Sequence, residues 1–264
     1  MVVVGGCYAP HPVEGAACTA QGECPSPLWC SNGTCVTHVT DPDAFACTPI
    51  ATAAGRITAP SFTPTMDGDL ADWAPCFITL DTSNGVVLDH GAMNMFPIGR
   101  FSVAHDATHL YVAAEVQGVL PLGTQVPPAI FENNSISFYI DGDGAFLSAA
   151  YDSDAAQILI DHANQQQAFK SATPVQLPDI TSAARTNQAT YTVELAVSPG
   201  TFGLTSFGST IGFDIGFEGG NGTKQTSEVY WYQGCTLPTC GCSNSTTAAP
   251  YCDAREFGVV SIPQ

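Results

Sequence analysis

Alternation with a period of two recurs along the chain and restricts its fold more than any other feature. Phe101 and Val103 alternate with polar neighbours, and after the turn at 106–109 comes Leu110–Val116 (LYVAAEV). Together these segments predict a β-hairpin. Ile136, Phe138 and Ile140 alternate with Ser137, Tyr139 and Asp141. Tyr191, Val193, Leu195 and Val197 alternate with Thr192 and Glu194, and Ile211, Phe213, Ile215 and Phe217 with Gly212, Asp214 and Gly216. Successive side chains of a strand point to opposite sides, so each run predicts one dry face and one wet face. Several such runs predict two sheets packed on a shared core, with 257–262 as a closing strand. The expected class is all-β, an antiparallel β-sandwich.

Composition agrees. Apolar residues make up 45% of the chain and charged ones only 11%, so a core can form and the acidity does not signal disorder. Acidic residues number 24 against 6 basic ones, a formal charge of −18. A field of that sign repels phosphate backbones and anionic membrane surfaces, and it suits neutral ligands and cations.

Eleven cysteines point to disulfides in an oxidising compartment. They cluster at Cys7–Cys47 and Cys235–Cys252, with Cys76 between, and no CxxC pair suggests a zinc site. Cys18, Cys24, Cys30, Cys35, Cys47, Cys76, Cys235, Cys240, Cys242 and Cys252 are the candidate disulfide residues. Cys240 and Cys242 are too close to pair without strain, so each is expected to find another partner. The segment holding Cys18, Cys24, Cys30 and Cys35 has too few apolar residues to fold by burial alone and reads as a small stapled module. Crossed pairing of Cys18 with Cys30 and Cys24 with Cys35 is one guess, and connectivity stays open.

The opening Met-Val-Val-Val-Gly-Gly-Cys7 resembles the lipobox of bacterial lipoproteins, in which the cysteine carries the lipid. Assigning Cys7 to lipidation leaves ten cysteines, an even number. The alternative is an unpaired cysteine on a terminal segment, because Val2–Val4 is too short for a signal-peptide core. The organisation expected is 1–7 residual signal, 8–47 cysteine-rich module, 48–60 a Thr-, Ala- and Pro-rich linker, and 61–264 sandwich. The chain is expected to be exported as a monomer, either secreted or as an outer-membrane or cell-surface lipoprotein. Any membrane contact would run through the lipid anchor.

Six motifs in order carry a resemblance over residues 60–264. They are Met66–Trp73 (MDGDLADW), Ala104–Val116 (AHDATHLYVAAEV), Glu132–Asp143 (ENNSISFYIDGD), Tyr151–Asp161 (YDSDAAQILID), Tyr191–Pro199 (YTVELAVSP) with Ile211–Ile215, and Phe257–Val260. This series resembles family 9 carbohydrate-binding modules. The resemblance implies an antiparallel sandwich, a glycan or polysaccharide partner, structural calcium, and a place beside glycoside hydrolases or alone outside the cell. It also implies kinship with haem-binding sandwiches. Members hold a sugar between two tryptophans. Here Trp29 lies in the cysteine module, Trp73 in the opening motif, where a structural role is expected, and only Trp231 is free.

Sugars present apolar faces rimmed by hydroxyls, so a site needs an aromatic platform beside polar groups. Tyr230, Trp231 and Tyr232 offer the platform, with Glu218, Asn221 and Glu228 beside it. Packing of one face in the core is the competing reading. Asp141, Asp143, Asp152 and Asp154 lie on two successive acidic loops that suit Ca²⁺, on motifs that match the family's, against the alternative of solvated turns. His105 and His109 flank a turn and are read as ordinary turn residues. No Gly-x-Ser-x-Gly elbow, HExxH or phosphate-cradling loop is present, and no marked carboxylate pair suggests a glycosidase, so an enzyme is not expected. Non-catalytic glycan binding in support of polysaccharide recognition or breakdown is the leading function. The alternatives are a haem-binding redox domain drawing ligands from Met93, Met95, His90 and Lys170, and a structural or adhesive lipoprotein without a small ligand.

Overall fold

A computed structural model describes residues 28–31, 34–37, 55–73, 77–91, 95–145, 151–170, 173–188, 190–232, 234, 250 and 253–263. The chain divides into two compact units, Met1–Ala46 and Cys47–Gln264. In the first, β1 (Leu28–Ser31) pairs antiparallel with β2 (Thr34–Thr37), and Cys30 stands opposite Cys35 in the register. Cys7, Cys18, Cys24, Cys47, Cys76, Cys235, Cys240, Cys242 and Cys252 lie outside the described residues, and so do the bridges and the lipid expected of them.

The second unit is all-β, and its helical elements among the described residues are four short turns. Its strands are β3 (Arg56–Thr58), β4 (Ile78–Leu80), β5 (Val86–Asp89), β6 (Ile98–His105), β7 (Leu110–Gln117), β8 (Ser135–Asp141), β9 (Ala155–Asp161), β10 (Gln166–Lys170), β11 (Thr173–Val175), β12 (Ile180–Asn187), β13 (Thr190–Val197), β14 (Thr210–Gly220), β15 (Gln225–Tyr230) and β16 (Gly258–Ser261). The smaller sheet runs β12-β13-β7-β6-β4, and the larger one β11-β10-β9-β8-β14-β15-β5. β14 is long enough to take two partners along one edge, β16 at Thr210–Phe213 and β15 at Gly216–Gly220, while β8 holds its other edge. β3 adds to β16 in parallel. The sandwich therefore starts inside the stretch 48–60 expected to be linker, because Ile57 is apolar enough to be buried in the core.

The predicted alternations place the core correctly. Phe101, Val103, Val112, Val193 and Leu195 from one sheet meet Ile136, Phe138, Ile158, Phe213, Ile215 and Phe217 from the other. At roughly 25 cal/mol per Å² of apolar surface removed from water, this interleaved layer is the main stabilising term. The predicted wet faces are a different matter. Every residue of β8 and β9 is buried, as is every residue of β14 except Thr210. Polar identity at alternate positions predicts exposure, but these polar residues are covered, and Ser137, Gln157 and Glu218 among them are hydrogen-bonded to one another.

Segments that look like connections do the covering. Over the smaller sheet, Trp73 joins Ala104, Tyr111, Ala113 and Ala196 in a second apolar cluster, with Phe62, Met66, Leu70 and Phe77 against it. The opening motif is pinned there by the buried Glu194 of β13. Its carboxylate accepts the Trp73 indole N–H at 2.7 Å and the backbone N–H groups of Asp67 (2.9 Å) and Gly68 (2.5 Å). Trp73 is structural, as expected. At the far end of the larger sheet, Asn134 accepts from Val119 N–H and donates to the Val119 and Gly220 carbonyls, so the ENNS motif ties down the loop that follows β7. Gly220 has to be glycine, since a Cβ there would stand 2.1 Å from the Glu132 carbonyl oxygen.

Glu194→Ala should strand three donors in a buried setting. A loss of about 3 kcal/mol in unfolding free energy is expected, measured by urea denaturation, with a smaller loss for Glu194→Gln. A loss under about 0.5 kcal/mol would show that the clamp does not hold the motif.

Candidate functional site

The outer face of the larger sheet concentrates buried polar chemistry. Register puts Glu228 of β15 beside Glu218 of β14 and Ser135 of β8, and in the next row Tyr230 beside Gly216 and Ser137. Ser137 Oγ donates to Glu218, Gln225 Nε2 donates to the other oxygen of Glu218, and Tyr230 OH donates to Glu228. Gln157 Nε2 donates to Ser137 Oγ at 3.0 Å and to Tyr139 OH at 3.1 Å. Glu218 and Glu228 touch each other, and burial followed by the Glu228 charge pushes Glu218 well above the usual carboxylate range. His90, following β5, brings Nε2 to 3.5 Å from Glu228, which raises its imidazole pKa.

Aromatic rings close the rest of this face. Tyr139 and Tyr230 meet edge to face with centroids 5.9 Å apart, and Phe257, Ala254 and Tyr151 cover them. Gly216 makes room, because a Cβ there would sit 2.5 Å from the Tyr230 ring. Tyr139, Ser137, Gln157, His90 and Gln225 were not expected in the site. The register of β8 with β14 and of β14 with β15 unites them, and alternation within single strands carries no such information.

The expected trio Tyr230, Trp231 and Tyr232 does not form one exposed platform. Tyr230 is fully buried. Trp231 turns to the opposite side and packs against the core, its ring 5.8 Å from Phe101 and 6.1 Å from Phe213. Tyr232 lies over Gly55, where a Cβ would come within 2.4 Å of the ring. Adjacent strand residues face opposite ways, so Trp231 packs half-buried against the core edge while the sheet's cover claims Tyr230. Glu218 and Glu228 are gathered as expected but are buried. Asn221 stands apart on the β14–β15 turn, its Oδ1 accepting from Thr223 N, Thr223 Oγ1 and Lys224 N.

That turn meets a second one. Gly222 N–H donates to the Glu132 carbonyl at 2.8 Å, so the Asn221 turn docks on the helical turn Ile130–Glu132. The latter packs across the ends of β8, β9, β14 and β15. It carries Phe131, an aromatic side chain that stays 37% exposed.

Of the four candidate metal ligands, Asp141, Asp143 and Asp154 converge, each offering an oxygen within 4.8 Å of the others. Asp152 is hydrogen-bonded to Asp154 beside them. Asp141 is buried, and its Oδ2 has no hydrogen-bond partner. Hard oxygen donors from two loops with one unpartnered oxygen fit a cation such as Ca²⁺. Burial, then the charge of Asp152, raises Asp141 to about 7, and burial with the Asp152 contact raises Asp154 to about 6.

The haem alternative pairs a methionine with His90 or Lys170. Met95 is exposed, Met93 lies outside the described residues, and His90 Nε2 is 3.5 Å from Glu228.

Residues 85–262 match the family model described as carbohydrate family 9 binding domain-like. No curated protein matches the chain. The similar solved structures include two of a family 9 carbohydrate-binding module from Caldicellulosiruptor kristjanssonii. The one in complex with cellotriose has 14% identity and a TM-score of 0.59, covering 78% of this chain and 93% of that one. The one in complex with glucose has 15% identity and a TM-score of 0.61, covering 79% and 95%. At these identities the likeness is one of fold.

The raised carboxylates set a pH dependence. Asp141 and Asp154 hold protons more tightly in the folded chain than at their ordinary 3.8, so the folded state binds more protons between about pH 4 and 7. In chelator, their contribution to stability should be complete below about pH 4 and be lost as pH rises through 6 and 7. Denaturant midpoints measured across that range should fall, and Asp141→Asn should flatten the fall. An unchanged slope in the variant would contradict the assignment.

Proposed function

The chain belongs to the carbohydrate family 9 binding domain-like family, and from that premise we propose that it is a non-catalytic glycan-binding module acting outside the cytoplasm. The observation that carries this reading is the docking of the Asn221 turn on the turn that bears Phe131. It brings the turn that carries an exposed aromatic side chain against the Asn221 turn, at the end of a sheet whose outer face is a hydrogen-bonded network. A pyranose ring would lie against Phe131, with its hydroxyls meeting Asn221 and the Gln225 edge of the Glu218 network. The solved relatives in complex with cellotriose and glucose make β-glucan chains the first ligands to try.

The carboxylates support binding rather than hydrolysis. Glu218 and Glu228 are buried and in mutual contact, whereas glycosidases hold their carboxyl pair about 5 Å or more apart around the scissile bond. Calcium at Asp141, Asp143 and Asp154 would neutralise crowded charge and stiffen the two loops that carry them. The cysteine content and the acidity suit export, with Cys7 as a lipid anchor and the cysteine module as a spacer that presents a monomeric sandwich to polysaccharide. In that setting the module supports polysaccharide recognition or breakdown carried out by other proteins.

Wild-type protein should be retained on insoluble cellulose or a related polysaccharide in a pull-down panel. Phe131→Ala should weaken retention about tenfold, roughly 1.4 kcal/mol, with little change in melting temperature because the side chain is exposed. Retention equal to wild type in Phe131→Ala would remove this ring from the site, and no retention of the wild type on any polysaccharide would remove the function. Millimolar Ca²⁺ should raise the melting temperature, and chelator should reverse the rise. Identical melting in both would exclude the calcium site.

A further inference from the structure

At the other end of the sandwich a cleft of about 620 Å³ opens between the β6–β7 turn, the loop before β14 and the residues after β16. It is lined by Ser61, His105, Thr108, Ser206, Phe207 and Pro263, among others. Neither the face built on Glu218 nor the Phe131 turn contributes to it. The two regions lie at opposite ends of β14, whose eleven residues span roughly 35 Å.

His105 sits in the wall of this cleft and is 6% exposed. Its backbone is held on both sides, donating to the Pro60 carbonyl at 2.9 Å and accepting from Phe62 N–H at 2.8 Å. Its Nε2 is buried without a hydrogen-bond partner. An unpaired buried ring nitrogen is costly, and this one belongs to a residue of the cleft wall, so a ligand in the cleft would change its surroundings.

The chemistry of the lining selects the ligand. Asp106 is the one acidic group in the lining, and it is already saturated. It accepts from Thr63 Oγ1, Thr108 N, Thr108 Oγ1, His109 N and Tyr111 OH at 2.6–3.0 Å. A cation therefore finds no open carboxylate in the cleft. An anion finds no Lys or Arg there, and the chain's −18 charge repels it. What stays open is a set of hydroxyls on Ser61, Thr205 and Ser206 and the apolar surfaces of Phe207, Pro199 and Pro263, with the His105 imidazole in the wall behind them. Groups that both donate and accept, beside a ring and prolines, match an uncharged hydroxylated ring. A volume of this size falls within the ordinary range for small-ligand sites, about 300–1,000 Å³.

We propose that this cleft is a second saccharide site, taking one or two sugar residues at the end of the sandwich opposite Phe131. Only the choice of ligand class rests on the glycan-binding reading; the cleft and its unpaired imidazole stand without it. With two sites some 35 Å apart on one module, a long polysaccharide engaged at one end is held at high effective concentration for the other.

The test titrates the full chain with cellobiose while following the histidine ring protons by NMR and the stoichiometry by calorimetry. The wild type should bind two equivalents, with the His105 resonances shifting. Ser206→Trp, which fills the cleft from an exposed position, should bind one equivalent and leave the His105 resonances unmoved by sugar. Phe131→Ala should keep the His105 shift while weakening the other equivalent about tenfold. His105→Gln should weaken the cleft site about tenfold, and Ser206→Trp keeps the question answerable if that variant does not fold. Binding of cellobiose by the wild type with static His105 signals, and with stoichiometry unchanged in Ser206→Trp, would overturn the second site alone. No binding of any sugar by the wild type would overturn both sites.

Discussion

The centre of the larger sheet, β8, β9 and β14, is buried on both sides, and most of the unit's organisation follows from that constraint. Inside, Ile136, Phe138, Phe213 and Ile215 interleave with the smaller sheet. Outside, Tyr139, Tyr230 and Phe257 form a second dry layer over the same strands. Polar groups caught between these layers have no water to bond to, so they must satisfy one another. Ser137, Gln157, Glu218, Gln225, Glu228 and Tyr230 do so in a connected network that reaches across β8, β9, β14 and β15. Such a network fixes the relative positions of those strands, and with them the ends where loops meet.

The inward half of each strand was legible in the sequence. Phe101, Ile136, Val193 and Phe213 announced their side of the sheet through period-two spacing, and each is in the core. The β6–β7 hairpin and the closing strand were equally plain. The outward half was not. Tyr139 and Glu218 are polar or amphipathic, and spacing alone cannot tell a covered polar residue from a wet one. Their cover comes from residues such as Tyr151 and Phe257, far away in sequence.

The same logic explains the mixed fate of the candidate site. Glu218, Glu228 and Tyr230 were named for proximity to Trp231, and the sheet does bring the first three together. It does so beneath the surface, while Trp231 is half-buried on the opposite side, packed against the core. Phe131 carried no signal, because its importance lies in a hydrogen bond from Gly222 that joins two turns ninety residues apart in the chain. The acidic loops were easier to read, since Asp141 and Asp143 are close in sequence and the motif after them returns Asp154 to the same place.

The parallel pairing of β3 with β16 has a mechanical consequence. Arg56, Ile57 and Thr58 run alongside Val259, Val260 and Ser261, which in turn run along the first half of β14. A pull applied to the chain ahead of residue 55 acts along the β3 axis, so it loads the rungs between β3 and β16 in shear, all at once, rather than peeling them one by one. Tension from a leash at that end would therefore pass into the long central strand, whose opposite end holds the Asn221 turn, and the module could be tugged hard before its first strand let go.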